Sequence, residues 1–136
     1  MKRIRLAGCI IFDPQGKVLL IHRNTPKRTQ WETPGGKIED EENPEKAAQR
    51  EAKEELGIQV KIVRLLGKRD FQEDQFVMEY TWFLAKTMNS QPELMEPDKF
   101  DDLKYFSWEE LKSMSDLSAN TQNLVNSFYQ GELLFN

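Results

Sequence analysis

The sequence contains one cysteine, one histidine and no long apolar run. A lone Cys9 cannot form a disulfide within the chain, which favours a reducing compartment and excludes a disulfide-stapled fold. Because Cys9 lies in an apolar segment, we interpret it as a small buried side chain. No stretch approaches the ~20 apolar residues of a membrane-spanning helix. The five residues before Leu6 to Cys9 include two arginines and no apolar leader region. We therefore predict a cytoplasmic protein with no membrane partner.

A basic surface is also lacking. The 136 residues include 19 Lys and Arg against 23 Asp and Glu, a net charge of −4. Broad binding to nucleic-acid polymers needs cationic surface, so we predict no such partner. A single nucleotide held through a metal ion is compatible with this charge. The length, with 38% hydrophobic and 31% charged residues, predicts one globular domain over residues 1–136. It leaves a monomer and a homodimer both open.

An acidic segment, GKIEDEENPEKAAQREAKEELGI, occupies residues 36–58. Asn43 followed by Pro44 suits a helix N-cap with proline at the first helical position. Gly57 is a natural residue to end the helix. These signals predict a helix over about residues 44–56.

Three carboxylates on this helix, Glu51, Glu54 and Glu55, are spaced i, i+3 and i+4 and so share one face. Like charges so placed repel by roughly 0.2–0.5 kcal/mol per pair. A hard divalent cation would offset that cost, and Mg²⁺ combines carboxylate ligands with water and substrate phosphates. The spacing therefore favours chemistry on a phosphate anhydride, with a solvated acidic helix as the alternative.

The segment resembles the Nudix box, G-x5-E-x7-R-E-U-x-E-E-x-G-U, in which U is aliphatic. Its positions are filled here by Gly36, Glu42, Arg50, Glu51, Ala52, Glu54, Glu55, Gly57 and Ile58. Ala52 is smaller than the family's usual residue. The resemblance implies an α/β fold, the Nudix fold, in which a mixed β-sheet is sandwiched between α-helices (α/β/α). It also implies hydrolysis of a nucleoside diphosphate-linked substrate with Mg²⁺, or Mn²⁺ as an alternative ion.

The resemblance also implies roles for individual residues. The metal ligands would be Gly36, through its backbone carbonyl, and Glu51, Glu54, Glu55 and Glu96. The catalytic residues would be Glu54, Glu55 and Arg50. Either glutamate would accept the proton of the attacking water, and Arg50 would pair with Glu42 or a neighbouring carboxylate.

Glu96 stands in an E-P-x-K stretch before W-x-E-L, a segment similar to that of Nudix enzymes acting on nucleoside triphosphates. There the loop glutamate approaches the metal cluster. A solvated Glu96 is the alternative, with Asp98, Asp101 and Asp102 as rival ligands.

The candidate substrate-binding residues are Arg23, Gly35, Gly36, Lys37 and Asn120. The glycines would let the backbone approach a ligand closely, and the Lys37 ammonium beside them would meet a phosphate. Arg23 and Asn120 match residues of the MutT branch, whose asparagine reads an oxidised guanine edge. Solvated side chains are the alternatives for Arg23 and Lys37, and a helix N-cap is the alternative for Asn120. Thr33 stands where MutT proteins commonly carry an apolar residue, and the loop after Arg23 is shorter, which weighs against oxidised guanine.

The remaining pattern predicts an order of elements. We expect a hairpin of 3–12 and 17–23, a loop at 24–30, paired strands at 58–71 and 75–86, a long loop at 87–102, a strand at 103–107, and helices at 108–114 and 119–130. Trp31, Phe76 and Trp82 would stack on a base or pack in the core, with the core favoured for at least two. His22 is interpreted as structural.

Three functions follow. The first is hydrolysis of a nucleoside triphosphate, oxidised or not, to the monophosphate and pyrophosphate. No proline or tyrosine occurs within 68–74, where Nudix enzymes acting on ADP-ribose or dinucleoside polyphosphates tend to carry one. The second function is hydrolysis of such another derivative, ADP-ribose, a sugar nucleotide or a dinucleoside polyphosphate. The third is nucleotide binding without catalysis, against which the full set of box carboxylates argues.

Overall fold

The computed structural model describes residues 1–88 and 90–136. Within them the chain forms β1 (Lys2–Ile11), β2 (Val18–Asn24), β3 (Thr29–Glu32), β4 (Gly35–Lys37), α1 (Pro44–Leu56), β5 (Gln59–Glu73), β6 (Phe76–Met88), β7 (Phe100–Phe106), α2 (Trp108–Ser113) and α3 (Ala119–Tyr129).

The strands form two sheets. One has the order β4-β1-β6-β5 and the other the order β3-β2-β7. The pair β1–β6 is parallel and the pairs β1–β4 and β5–β6 are antiparallel, so the larger sheet is mixed. In the smaller sheet β2 runs antiparallel to both neighbours.

Alternating side chains divide the interior into two cores. On β1, Cys9 belongs to one core and Ile10 to the other, and on β2 Leu19 and Leu20 divide in the same way. The first core includes the small apolar face of α1, and the second includes residues of α2 and α3. Strands with period-2 side chains buried on both faces need a covering layer on each face. The predicted α/β/α arrangement is confirmed.

Helix α1 begins and ends where local signals predict. The Asn43 side chain accepts a hydrogen bond from the Lys46 N–H at 2.8 Å, and Pro44 takes the first helical position. Gly57 adopts φ 65°, a left-handed conformation that glycine adopts without a Cβ penalty. Its N–H donates to the Lys53 carbonyl. The predicted helix over 44–56 is confirmed.

The predicted hairpin of residues 3–12 and 17–23 is wrong. Strands β1 and β2 lie in different sheets, and in the described part of the chain an isolated bridge between Phe12 and Val18 takes the place of a paired ladder. The Asp13 side chain accepts from the Gln15 and Lys17 N–H groups and closes the turn between them. The segments 7–11 of β1 and 18–21 of β2 are buried on both faces, and such segments lie between layers instead of forming a half-solvated hairpin.

Two predicted loops are shorter than expected. Strand β3 begins at Thr29, because the ladder with β2 pairs Arg23 with Gln30 and Asn24 with Thr29. The loop predicted at 87–102 is shorter because β6 extends to Met88 and β7 begins at Phe100. Its residue Asn89 lies outside the described residues. Cross-strand pairing thus extends into polar sequence that composition alone assigns to loops.

The other predicted elements are confirmed with small shifts. Strands β5 and β6 pair antiparallel around a turn at Asp74, which has φ 54°. Ser107 caps α2 in a capping box with Glu110. In the described residues no helix combines the length and apolar character needed to cross a membrane.

Candidate active site

The loop Pro34-Gly35-Gly36 lies directly on strand β1. The Cys9 N–H donates to the Pro34 carbonyl at 3.1 Å, and β4 pairs Gly35 with Gly8. A Cβ on Gly8 would clash with the Pro34 carbonyl, and a Cβ on Gly35 would clash with the Tyr80 hydroxyl. The glycines therefore allow two backbones to approach closely and fix the loop beside the acidic helix.

Gly36 lies beneath the carboxylate of Glu51. A Cβ built on Gly36 would come within 2.6 Å of the Glu51 carboxyl carbon and one of its oxygens. The absence of a side chain on Gly36 lets the Glu51 carboxylate lie against the peptide backbone. Carbonyl and carboxylate oxygens are hard donors of the kind that Mg²⁺ and Mn²⁺ bind.

Arg50 contacts three members of the acidic cluster, by which we mean Glu42, Glu51, Glu54, Glu55 and Glu96. Its Nε donates to Glu42 at 2.8 Å, and its Nη1 donates to Glu51 and Glu54 at 3.0 Å each. Its Nη2 donates to the Lys37 carbonyl at 2.9 Å, which joins α1 to β4. The guanidinium lowers the pKa of Glu42 to about 2. The predicted pair with Glu42 is present, and the contacts with Glu51 and Glu54 offset the like-charge repulsion along α1.

Glu55 is the most deeply buried acid of the cluster, with 5% of its surface exposed. Burial raises the pKa of Glu55 well above its usual range, and the nearby Glu51 charge raises it further. The Gly35 N–H donates to Glu55 Oε1 at 2.9 Å and favours the charged form. Burial also raises the pKa of Glu51. A cation bound beside these two carboxylates would therefore stabilise their charged forms.

The segment between β6 and β7 brings Glu96 to the cluster. The Met95 N–H donates to the Glu55 carbonyl at 3.1 Å, which holds the segment against the end of α1. The charge of Glu96 is one of those that raise the pKa of Glu51 and Glu55. Of the rival acids, Asp101 is bonded to His22 at 2.7 Å and Asp102 accepts from the Leu103 N–H.

The donor set fits a divalent ion by its chemistry. Carboxylate oxygens such as those of Glu51, which lie against the backbone of Gly36, are suited to a hard cation. Among residues 1–88 and 90–136, no three His, Cys, Asp or Glu side chains form a ready metal cage. Arg50 and the Gly35 N–H hold the predicted ligands Glu51, Glu54 and Glu55 in the arrangement described above.

A cavity of about 510 Å³ opens beside the glycine loop. It brings together the five predicted substrate-binding residues, Arg23, Gly35, Gly36, Lys37 and Asn120. Its apolar lining comes from Leu6, Phe71, Met78 and Tyr80. Backbone atoms, cations and apolar side chains therefore meet in one space next to the acidic helix. The role of each residue stays a prediction.

Arg23 is held inside this cavity by an ion pair and is not a solvated side chain. Its Nε donates to Glu32 Oε2 at 2.6 Å and its Nη2 donates to Glu32 Oε1 at 3.1 Å. Its guanidinium lies 4.8 Å from the centre of the Phe100 ring. Glu32, which sequence reasoning missed, also accepts from Gln30 at 2.7 Å. Its signal in the sequence is an acidic residue three positions before the glycine pair.

Asn120 is not a helix cap, so that alternative is wrong. Ser118 caps α3 by accepting from the Thr121 N–H. Asn120 lies in the first turn with 6% of its surface exposed. Its Oδ1 accepts from Trp82 Nε1 at 2.8 Å and its Nδ2 donates to Thr33 Oγ1 at 2.9 Å. The polar residue Thr33 therefore has a buried partner, which explains why an apolar residue is not needed there.

Two of the three aromatic residues considered for stacking on a base, Trp31 and Trp82, pack in or against the core as predicted. Trp82 is a core residue with 1% exposure, and Trp31 packs against the second core and against His22. Phe76 is half-buried at the start of β6 and is not among the residues that line the cavity. His22 bonds Asp101 and pairs strands, consistent with a structural role.

Residues 2–127 match the NUDIX domain. The chain therefore belongs to the Nudix family and is a Nudix hydrolase, as the box and the fold predicted. Over 83 residues it is 35% identical to the 8-oxo-dGTP diphosphatase of Proteus vulgaris, a match covering 58% of this chain and 74% of that protein.

Two further comparisons define its relatives. Over 84 residues, 60% of this chain, it is 38% identical to diphosphoinositol polyphosphate phosphohydrolase 3-alpha of Mus musculus, and it spans half of that protein's length. The crystal structure of the MutT NUDIX hydrolase from Burkholderia pseudomallei is 28% identical. It superposes with a TM-score of 0.82 over 93% of this chain and 98% of that one.

Proposed function

We propose that this Nudix hydrolase cleaves nucleoside triphosphates to the monophosphate and pyrophosphate. The observation that supports this is the position of the cavity. Gly35 and Gly36 line it, and the same two residues contact Glu55 and Glu51 of the acidic helix. A nucleotide whose base fills the cavity would therefore extend its phosphates towards the carboxylates.

The acidic cluster supplies the sites for a divalent ion, Mg²⁺ or Mn²⁺. Gly36, through its carbonyl, with Glu51, Glu54, Glu55 and Glu96, would hold the ion. When bound, the ion would neutralise charge on the phosphates and lower the pKa of an attacking water. Members of the family generally need such a metal.

The protein groups would do the remaining work. Glu54 is the most exposed of the three helix carboxylates and can accept the proton of the water, with Glu55 as the alternative base. Lys37 lines the cavity beside the glycines, where its ammonium would meet a phosphate. Arg50 would keep Glu51 and Glu54 at their positions on α1.

The cavity fits a base better than a highly charged ring such as an inositol polyphosphate. Its apolar surface suits the face of a nucleobase. Two of its cations are already paired, Arg23 with Glu32 and Arg28 with Glu73 at 3.3 Å. This leaves less positive charge for a ligand with many phosphates. We also propose that residues 1–136 form a single cytoplasmic domain.

A substrate panel tests the proposal. The four dNTPs, 8-oxo-dGTP, ADP-ribose, UDP-glucose, diadenosine tetraphosphate and a diphosphoinositol polyphosphate are incubated with Mg²⁺ or Mn²⁺. Products are separated by anion-exchange chromatography, and ¹⁸O-labelled water identifies the phosphorus that is attacked. We expect triphosphates to give monophosphate and pyrophosphate.

Two outcomes would reject the proposal. Turnover of a diphosphate derivative with triphosphates untouched would assign the second function. Nucleotide-induced thermal stabilisation with no product in either metal would assign binding without catalysis. The Glu54→Gln variant is the control for a contaminating phosphatase, because contaminating activity would survive the change.

A further inference from the structure

Strand β7 is irregular where it meets the end of β2. The ladder pairs His22 with Asp102 and then Arg23 with Phe100. Asp101 is therefore the extra, bulged residue between these two pairs. A bulge bends its strand and re-aims side chains, and bulges are common beside active sites. This one lies next to Arg23, which lines the cavity.

The carboxylate of Asp101 bridges two side chains of β2. Its Oδ1 lies 2.7 Å from His22 Nδ1, and its Oδ2 accepts from Asn24 Nδ2 at 2.7 Å. An ionised carboxylate only accepts hydrogen bonds, so His22 Nδ1 carries a hydrogen and donates it. The His22 contact, followed by the Asn24 contact, lowers the pKa of Asp101. The bridge is therefore made by the charged form of Asp101.

His22 and Asn24 stand on either side of Arg23 in β2. Because side chains alternate along a strand, both point to the face opposite the Arg23 side chain. The His22 ring is also packed against Trp31, with 4.8 Å between the ring centres. Asp101 thus fastens β7 to one face of β2, while Arg23 lies on the face that lines the cavity.

The bridged end of β2 also holds the turn that carries Glu96. The Asn24 N–H donates to the Lys99 carbonyl at 2.8 Å. The N–H groups of Lys99 and Phe100 donate to the Glu96 carbonyl at 2.9 and 3.0 Å, which closes a tight turn. Hydrogen bonds therefore lead without interruption from the Asp101 carboxylate, through Asn24, to the backbone of Glu96.

Glu96 lies between two anchors. On one side, the Met95 N–H donates to the Glu55 carbonyl of α1 at 3.1 Å. On the other side, the contact of Asn24 joins the turn to β2, and the Asp101 carboxylate holds the Asn24 side chain. The first anchor ties Glu96 to the acidic helix, and the second fixes the direction from which it approaches that helix.

We propose that Asp101 is a positioning residue, which sets the place of Glu96 in the metal site by tying the bulge of β7 to β2. This role rests on the metal site of the proposed function, in which Glu96 is a ligand of the divalent ion. Without the bridge the turn keeps its backbone contacts but loses the side-chain contacts that fix the bulge. Glu96 would then hold the ion less tightly.

Mn²⁺ binding, measured by electron paramagnetic resonance without nucleotide, tests this role independently of turnover. Asp101→Ala removes both contacts of the bridge. We expect it to weaken Mn²⁺ binding by about tenfold, because losing a residue that orients a metal ligand typically costs about 10–100-fold in affinity or activity. The Mg²⁺ concentration for half-maximal hydrolysis should rise in step.

Two conservative variants separate hydrogen bonding from charge. Asp101→Asn loses the same charge as Asp101→Ala, but it retains both contacts when the Asn24 amide turns over to present its oxygen. It should therefore bind Mn²⁺ nearly as well as wild type. Asn24→Ala removes only one of the two contacts and should show a smaller loss than Asp101→Ala, which gives a second measurement if Asp101→Ala folds poorly.

Asp70→Ala is the matched control. The side chain of Asp70 is 45% exposed, like that of Asp101, and accepts from Arg3 at 2.6 Å between β5 and β1. This variant should bind Mn²⁺ as wild type does. Combining Asp101→Ala with Glu96→Gln tests the route of the effect. If Asp101 acts through Glu96, its replacement should cause little further loss in the Glu96→Gln protein.

The outcomes distinguish the two proposals. Wild-type Mn²⁺ binding in Asp101→Ala would overturn the inference and leave triphosphate hydrolysis standing. An equal loss in Asp70→Ala or in Asp101→Asn would also overturn it, because charge alone would then explain the effect. Independent losses in the double variant would show that Asp101 does not act through Glu96. The expected losses of Mn²⁺ binding, in a protein that hydrolyses no triphosphate, would reject the proposed substrate and support the positioning role.

Discussion

Gly36→Ala tests whether the glycine loop and the acidic helix act together. The added Cβ would lie 2.6 Å from the carboxyl carbon of Glu51. Ordinary van der Waals contact begins about 1 Å further away, and the obstructing atoms are the free end of a side chain. We therefore expect the Glu51 carboxylate to move by about 1 Å while the backbone stays in place.

The effect on activity should be large and the effect on stability small. A displacement of about 1 Å in a catalytic arrangement can cost about 10²-fold in rate. The interaction at risk in the fold is the Arg50–Glu51 pair at 3.0 Å, a partly exposed pair for which about 0–1 kcal/mol is typical. Kinetics across a Mg²⁺ titration and thermal unfolding would measure both effects.

Gly35→Ala provides the matched contrast. Its Cβ would lie 2.7 Å from the Ala7 carbonyl oxygen and 2.8 Å from the Gly8 Cα, which are backbone atoms and cannot turn away. Overpacking of this kind costs about 1–3 kcal/mol, so this variant should lose stability as well as activity. Wild-type turnover in Gly36→Ala would refute the proposed role of Glu51. Equal destabilisation in both variants would refute the distinction between side-chain and backbone contacts.

Three further predictions concern single groups. Glu54→Gln should lower turnover by about 10²–10³-fold, because a negative charge is lost. Thermal unfolding should change little, because the side chain is half-exposed and glutamine has nearly the same shape. Near-normal turnover would show that Glu54 is neither a metal ligand nor the base. The Arg50 guanidinium lowers the pKa of Glu42 from 4.5 to about 2. The contribution of Glu42 to the stability of the folded state is therefore complete above pH 4.5 and is lost as the pH falls through about 2. The stability difference between wild type and Glu42→Gln should shrink over that window in thermal unfolding, and a constant difference would contradict the pairing. Burial raises the pKa of the Cys9 thiol to about 12, so a thiol reagent should label it only after denaturant is added, and labelling of the native protein at neutral pH would disprove its burial.

The sequence was sufficient to predict α1 to the residue. Its signals are local, because the cap at Asn43, the proline beside it and the glycine at 57 act on adjacent backbone groups. Spacing alone also placed Glu51, Glu54 and Glu55 on one helix. Arg50 was expected to bind a carboxylate, and it binds three.

The pairing of the strands could not be predicted in the same way. Strand β1 pairs in parallel with β6, from Lys2 with Phe76 to Ile11 with Ala85. Its neighbour in the chain, β2, joins the other sheet. A turn signal such as Asp13 to Gly16 reports that the chain reverses, but the choice of sheet depends on contacts with residues more than 70 positions away.

The contacts of Asn120 show the same limit within the site. The resemblance led to this residue, but its partners come from β6 and from the segment after β3. Neither Trp82 nor Thr33 carries a local signal for contact with α3. Composition suggested core packing for Trp82, which is correct, but not that its indole would also fix the direction of an amide.

The segment after β3 joins the two halves of the proposed reaction. The Thr33 N–H donates to Thr121 Oγ1 at 3.2 Å and its hydroxyl accepts from Asn120, both on α3. Two residues later, the Gly35 N–H donates to Glu55 on α1. Helix α3, which carries Asn120, and helix α1, which is proposed to hold the metal, are thus tied to backbone groups two residues apart. Because these groups share one short backbone, a base that shifts α3 would displace the glycine loop and with it the carboxylates. Contacts to a base in the cavity should therefore affect the rate of hydrolysis as well as affinity.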